Sequence, residues 1–101
     1  MPTIYEYLGF IFKFYSNEHY PIHVHVIRGE LESIFDLVIV DGNLIEVRKR
    51  AKRGKKSLSV RDSGIVEEFL LKYWKNITDK WISYFVYNVN VRCTKITKKV
   101  K

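Results

Sequence analysis

Ser16-Asn17-Glu18-His19-Tyr20-Pro21-Ile22-His23-Val24-His25-Val26 decides the fold, because its pattern changes from turn to strand half-way along. Ser16, Asn17 and Pro21 favour a turn: short polar side chains bond nearby backbone, and proline fixes φ and has no N–H. Pro21 also drives Tyr20 toward extended backbone. From Ile22 the residues alternate. Ile22, Val24 and Val26 share one face of a strand, and His23 and His25 share the other. The β-branched row is the core face. Both imidazoles are therefore expected to point away from that core, toward solvent, a cleft or a partner. Positions two apart on a strand lie roughly 6–7 Å apart along it, which suits joint engagement of one ligand.

All three histidines of the chain lie in this stretch, at H-x-x-x-H-x-H spacing. Neutral imidazoles are common metal ligands, so His23 and His25 form a candidate site for a divalent metal such as zinc, with His19 or Glu18 as third ligand. The same pair could act as acid and base on a phosphodiester, since histidine titrates near neutral pH. A structural role, bonding the neighbouring turn or covering the sheet edge, outweighs both. The sequence supplies neither a clear fourth ligand nor a nucleophile with a partner base.

Phe14-Tyr15-Ser16-Asn17-Glu18-His19, followed by Pro21 and His23-Val24-His25-Val26, resembles the signature of domain-of-unknown-function family 4160, a group of short prokaryotic proteins. The resemblance begins at Met1-Pro2-Thr3-Ile4 and includes Asp41-Gly42. It continues through Lys80-Trp81-Ile82-Ser83-Tyr84-Phe85-Val86-Tyr87 to Ile96-Thr97-Lys98-Lys99. It implies no established activity. Members are often encoded beside another small protein, which implies a regulatory or toxin–antitoxin role with a cognate small protein as partner.

At 101 residues the chain is read as one domain, and 47% hydrophobic residues suffice for a core. One cysteine, Cys93, excludes an internal disulfide. It is expected as a small buried residue in a late strand, since it has no CxxC partner for zinc. Glu6 stands where a signal peptide would carry positive charge, and no apolar run reaches membrane-spanning length. These features predict a cytoplasmic protein with no membrane partner.

Residues Ile4 to Tyr15 read as the first strand, with Phe10, Phe12 and Phe14 on one face. Such an aromatic row could stack bases, but a core role is favoured because helices further on need a sheet face to cover. Gly9 marks a bulge or bend. Ile22 to Ile27 is the second strand, and Arg28-Gly29-Glu30 a reversal. Leu31 to Val40 is the third strand, and Asp41-Gly42 a hairpin turn that needs positive φ. Leu44 to Arg48 is the fourth.

Arg48-Lys49-Arg50-Ala51-Lys52-Arg53-Gly54-Lys55-Lys56 follows, with seven basic residues in nine. Outside it, 11 Lys and Arg balance 11 Asp and Glu, so the segment equals the whole formal charge of +7. Residues 48–57 are expected to form a mobile or extended loop, because like charges repel and nothing apolar is present to dock. Such runs bind polyanions by counterion release, which makes Arg48, Lys49, Arg50, Lys52, Arg53, Lys55 and Lys56 candidate nucleic-acid contacts. A solvated loop that aids solubility is the competing view. No element that reads bases is evident, so binding would be weakly selective.

Ser59 or Asp62 caps a helical region. Ile65, Val66, Phe69, Leu70, Tyr73 and Trp74 form one apolar stripe. Lys75-Asn76 is expected to break or kink it, and Ile77, Trp81, Tyr84 and Phe85 to continue it in a second helix. That helix is too aromatic for DNA recognition and fits a core or a dimer seam better. Residues 89–100 alternate again and read as a final strand, which could join the sheet edge or pair with another subunit in a homodimer. The expected fold is α+β: an antiparallel meander of about four strands, two consecutive helices on one face, and a C-terminal strand. The leading function is a small regulatory or toxin–antitoxin-type protein that binds nucleic acid through the basic loop. A histidine-based metal protein or phosphodiester-cleaving enzyme and a protein-interaction module are the competitors.

Overall fold

The histidine-bearing strand sits inside a six-stranded sheet, as the third strand in chain order, β3 (Ile22–Arg28). The structure, a computed structural model, describes residues 2–15 and 22–100. The turn expected over Ser16–Pro21, with Glu18 and His19, lies outside the described residues. The other elements are β1 (Thr3–Tyr7), β2 (Phe10–Lys13), β4 (Leu31–Val40), β5 (Asn43–Ala51), the helix α1 (Val60–Phe85) and β6 (Thr94–Ile96). The sheet order is β5-β4-β3-β2-β1-β6. The first five strands form an antiparallel meander, and β6 closes the far edge parallel to β1. The fold is α+β with a mixed sheet.

Two-residue turns drive the meander. Asp41 and Gly42 both take positive φ, 52° and 78°, the geometry that matches strand twist in a hairpin. Leu8 and Gly9 do the same, at 48° and 86°. The stretch from Ile4 to Tyr15 is therefore two strands and not one. Gly9 tolerates its positive φ, but a leucine in that region is uncommon, so the local residue types carry no warning of a full reversal.

Helix α1 is one continuous helix of 26 residues where two were expected. Lys75 and Asn76 are ordinary in a helix interior, and neither glycine nor proline interrupts the run there. Leu70, Ile77 and Trp81 stay in phase across the expected break and are all buried. At the N-terminus, Ser59 caps the helix by accepting a hydrogen bond from the Asp62 backbone N–H at 3.1 Å.

The final strand is shorter than expected. Only Thr94–Ile96 pairs, against the five-residue β1, and the rest of 89–100 is irregular. Cys93 precedes this strand and is exposed, so the expected buried position is corrected. Desolvation first, and the nearby Glu6 second, raise the Cys93 thiol pKa, with Lys80 opposing them.

The core lies between the sheet and α1. Phe10, Phe12, Phe14, Val24, Val26, Phe35, Val66, Phe69 and Leu70 are all fully buried there. Phe69 is the hub. Its ring meets Tyr7 at 4.5 Å, Tyr73 at 4.6 Å, Phe12 at 4.8 Å and Tyr5 at 5.3 Å. Trp81 packs on Phe85 at 5.1 Å within the same layer, which makes its stripe core. Among the described residues, no helix is long and apolar enough to cross a membrane.

Candidate functional site

Strand parity divides the sheet into two chemistries. Ile22, Val24 and Val26 are buried on the α1 side. His23 and His25 therefore lie on the opposite face. The tight turn at Gly29-Glu30 sets His23 across from Asp36, His25 across from Ile34 and Ile27 across from Glu32. On the other side, Lys13 of β2 faces His25. The histidine face thus carries a row of acids on β4 beside the imidazoles.

The two rings differ in their surroundings. His23 is partly exposed, but His25 is only 4% exposed although it points away from the main core. Tyr15 covers it, with ring centroids 3.7 Å apart and planes 14° from parallel. Glu32, itself 3% exposed, lies beside both. Its Oε2 accepts from the Tyr15 hydroxyl at 2.7 Å and lies 3.1 Å from His25 Nδ1. A carboxylate can only accept, so Nδ1 carries the hydrogen and Nε2 is the ring's acceptor or metal-binding atom when neutral. A carboxylate that fixes the tautomer of a histidine is the arrangement by which sites orient an imidazole. It also gives a buried imidazole a hydrogen-bonded partner, which burial alone would require.

Where a mobile or extended loop is expected over 48–57, the first four residues are extended and paired in the sheet. Arg48–Ala51 belong to β5, paired with β4. The following turn is fastened by Lys55 N–H donating to the Lys52 carbonyl at 3.1 Å and Glu32 N–H donating to the Lys56 carbonyl at 2.9 Å. Leu58 is buried, and its N–H donates to Ser33 Oγ at 3.0 Å. Backbone pairing and one buried leucine supply the docking that the basic composition argued against.

A bulge in β5 distributes the charges. Val38 pairs with Glu46 but Ile39 with Leu44, so β5 carries one extra residue there. Without it, a two-residue turn at Asp41-Gly42 would place Val47 opposite Asp36. With it, Arg48 is opposite Asp36 and Arg50 opposite Ile34, on the histidine face. Arg50 grips Asp36 with two bonds, Nε to Oδ2 at 2.7 Å and Nη2 to Oδ1 at 2.8 Å. Asp36 is 5% exposed, so this bidentate pair neutralises a buried acid. Arg48 pairs with Glu46 at 3.0 Å in solvent. Lys49 lies on the other side of the strand and donates to the Leu58 carbonyl at 2.9 Å. Lys52 sits over the Tyr15 ring at 4.8 Å. Arg53, Lys55 and Lys56 are exposed.

Residues 9–82, well over half of the chain, match the family model of the Domain of unknown function (DUF4160). The chain belongs to that family. No curated protein and no solved structure matches it. Family 4160 membership therefore brings no catalytic residue to these positions.

Of the candidate metal ligands, His23 and His25 come together, with ring centroids 5.6 Å apart. His19 lies outside the described residues. Among the described residues, no group of three or more His, Cys, Asp and Glu side chains is placed to hold a metal ion. Tyr15, Glu32 and Asp36 belong to the site but were not singled out from sequence. The signal was available for the two acids: a two-residue turn at Gly29-Glu30 puts residues 32 and 36 on the histidine row.

Proposed function

We propose that this protein binds nucleic acid weakly selectively, through the turn that follows β5. The observation that supports it is a split within the basic segment. Arg50 and Arg48 are engaged with acids of their own chain, and Lys49 with a carbonyl. Among the described residues, no carboxylate lies within ion-pair distance of Lys52, Arg53, Lys55 or Lys56. Arg53, Lys55 and Lys56 are exposed and Lys52 lies half-buried over Tyr15, all on one anchored turn, an array for successive phosphates. Arg48 and Arg50 frame the array and would shift toward phosphate only by leaving their acids. A regulatory, toxin–antitoxin-type component would use such a contact, with a cognate small protein as its other partner.

Filter or anisotropy binding to a short RNA and a short duplex DNA, over a salt series, tests this proposal. Affinity should fall linearly on a log–log plot, with a slope of about −0.7 to −0.9 per phosphate neutralised. Replacing Lys52, Arg53, Lys55 and Lys56 by alanine should weaken all sequences alike and flatten the slope by roughly one unit for each phosphate no longer neutralised. An affinity indifferent to salt would reject phosphate contact.

The Glu32–His25 pair favours a second reading, an acid–base site acting on the bound phosphodiester with His23 as the second imidazole. A divalent metal such as zinc held by His19, His23 and His25 is its metal form. This reading expects RNA cleavage, or bound metal, that disappears in His23→Ala while salt-dependent binding persists. Binding with no cleavage and no metal in the purified wild-type protein leaves the first reading alone.

A further inference from the structure

We propose that β5 is a self-complementary edge, and that two copies of this chain join there, antiparallel about Val47, into one continuous sheet. The two edges of the sheet are finished differently. β6 covers β1 on one side. On the other side β5, nine residues long and without proline, is the terminal strand. Among the described residues no further strand pairs with its outer side, a standing template for another strand. Ile45, on β5 itself, is 64% exposed.

Edges are commonly guarded by charges and bulges. Here the guard charges differ in sign at Glu46 and Arg48, and that pattern permits one pairing. A two-fold axis normal to the sheet keeps the faces of both copies aligned, so along the regular stretch after the bulge, Glu46 to Ala51, only residues of equal parity can stand opposite one another. Glu46, Arg48 and Arg50 share the histidine face, through their pairing with Val38, Asp36 and Ile34. Centring the pair on Glu46 would set Glu46 against itself. Centring it on Arg48 would set Arg48 against itself, and centring it on Lys49 would set Arg48 against Arg50. Centring it on Val47 sets Glu46 against the partner's Arg48, twice by symmetry. Glu46 and Arg48 already lie 3.0 Å apart within one copy, so dimerisation only shares these charges across the edge. The pairing is independent of nucleic-acid binding.

The test is sedimentation velocity on the full chain across a broad concentration range. Wild type should show a monomer–dimer equilibrium. Glu46→Arg and Arg48→Glu should each place like charges across the edge and weaken association at least about tenfold. Because both side chains are exposed, melting temperatures should stay near wild type, which separates a lost interface from a lost fold. An equimolar mixture of the two variants should regain dimers, since every opposed pair is then of opposite sign. The double exchange Glu46→Arg with Arg48→Glu should do so by itself. A wild type that stays monomeric throughout, or single variants that dimerise as wild type does, would overturn the proposal. So would a mixture that remains monomeric while each variant is folded.

Discussion

Phe69→Ala should destabilise the protein by about 3–5 kcal/mol, among the largest losses expected from a single side chain here. Phe69 is fully buried, and four aromatic rings lie within 5.3 Å of its own. Two of them come from β1 and one from β2, so one side chain on α1 joins the helix to both strands. Tyr73 adds a ring from within the helix. Removing the Phe69 ring loses transfer energy and leaves a cavity between layers that cannot close without moving a strand. It also loses ring-pair geometry worth about 0.5–1.5 kcal/mol per pair beyond area. For a domain of this size, a total stability of roughly 5–15 kcal/mol would be cut by a third or more. The melting temperature should fall by on the order of 20 °C. Leu71, 59% exposed on the same helix, is the control, and alanine there should stay within about 0.5 kcal/mol of wild type. Thermal and urea melts of both variants decide this. A Phe69→Ala protein with wild-type stability would mean that the ring cluster does not hold the layers together.

The second large effect is expected on the other face of the sheet. Glu32→Ala should destabilise the protein by about 3–5 kcal/mol, because removing one partner of a buried polar network strands the rest. Tyr15 Oη and His25 Nδ1 both converge on Glu32 Oε2, and His25 is nearly inaccessible to replacement water. Glu32→Gln retains an acceptor and should cost less than half as much. Tyr15→Phe removes one donor to a charged acceptor and should cost about 1.5–3 kcal/mol. Urea unfolding of the three variants gives the order. Equal stability of Glu32→Ala and wild type would show that the carboxylate does not serve these two donors in solution. The experiment also bears on function, since a Glu32 variant that folds but loses RNA cleavage would favour the acid–base reading.

Local signals in the sequence carried most of the sheet. Asp41-Gly42 fixed one hairpin because its chemistry demands positive φ. The strand Leu31–Val40 was legible end to end from its alternation. Val24 and its neighbours fixed which face is apolar. What remained hidden depends on tertiary context. Leu8 at positive φ is tolerated only because Gly9 and the two flanking strands complete a hairpin. The continuity of α1 depends on Ile77 and Trp81 finding the same sheet as Leu70. The bulge before Glu46 has no local signature, yet it settles which arginines join the histidine face. Parity placed His25 on the correct side but could not show that Tyr15 and Glu32 enclose it. Those contacts join positions 7 and 17 apart through the folding of the sheet.

Lys80 ties the two ends of the chain through one ammonium group. It donates to the Ile4 carbonyl at 2.8 Å, the Arg92 carbonyl at 2.7 Å and Thr94 Oγ1 at 3.0 Å, and lies 4.1 Å from the Tyr5 ring centre. Burial lowers its pKa, with the Cys93 charge opposing that shift. The knot can form only when the helix, the first strand and the last are in place together. Because the contacts it makes join residues as far apart as Ile4 and Thr94, the knot belongs to the slow, long-range steps of folding, and β1 keeps an open border until it is tied.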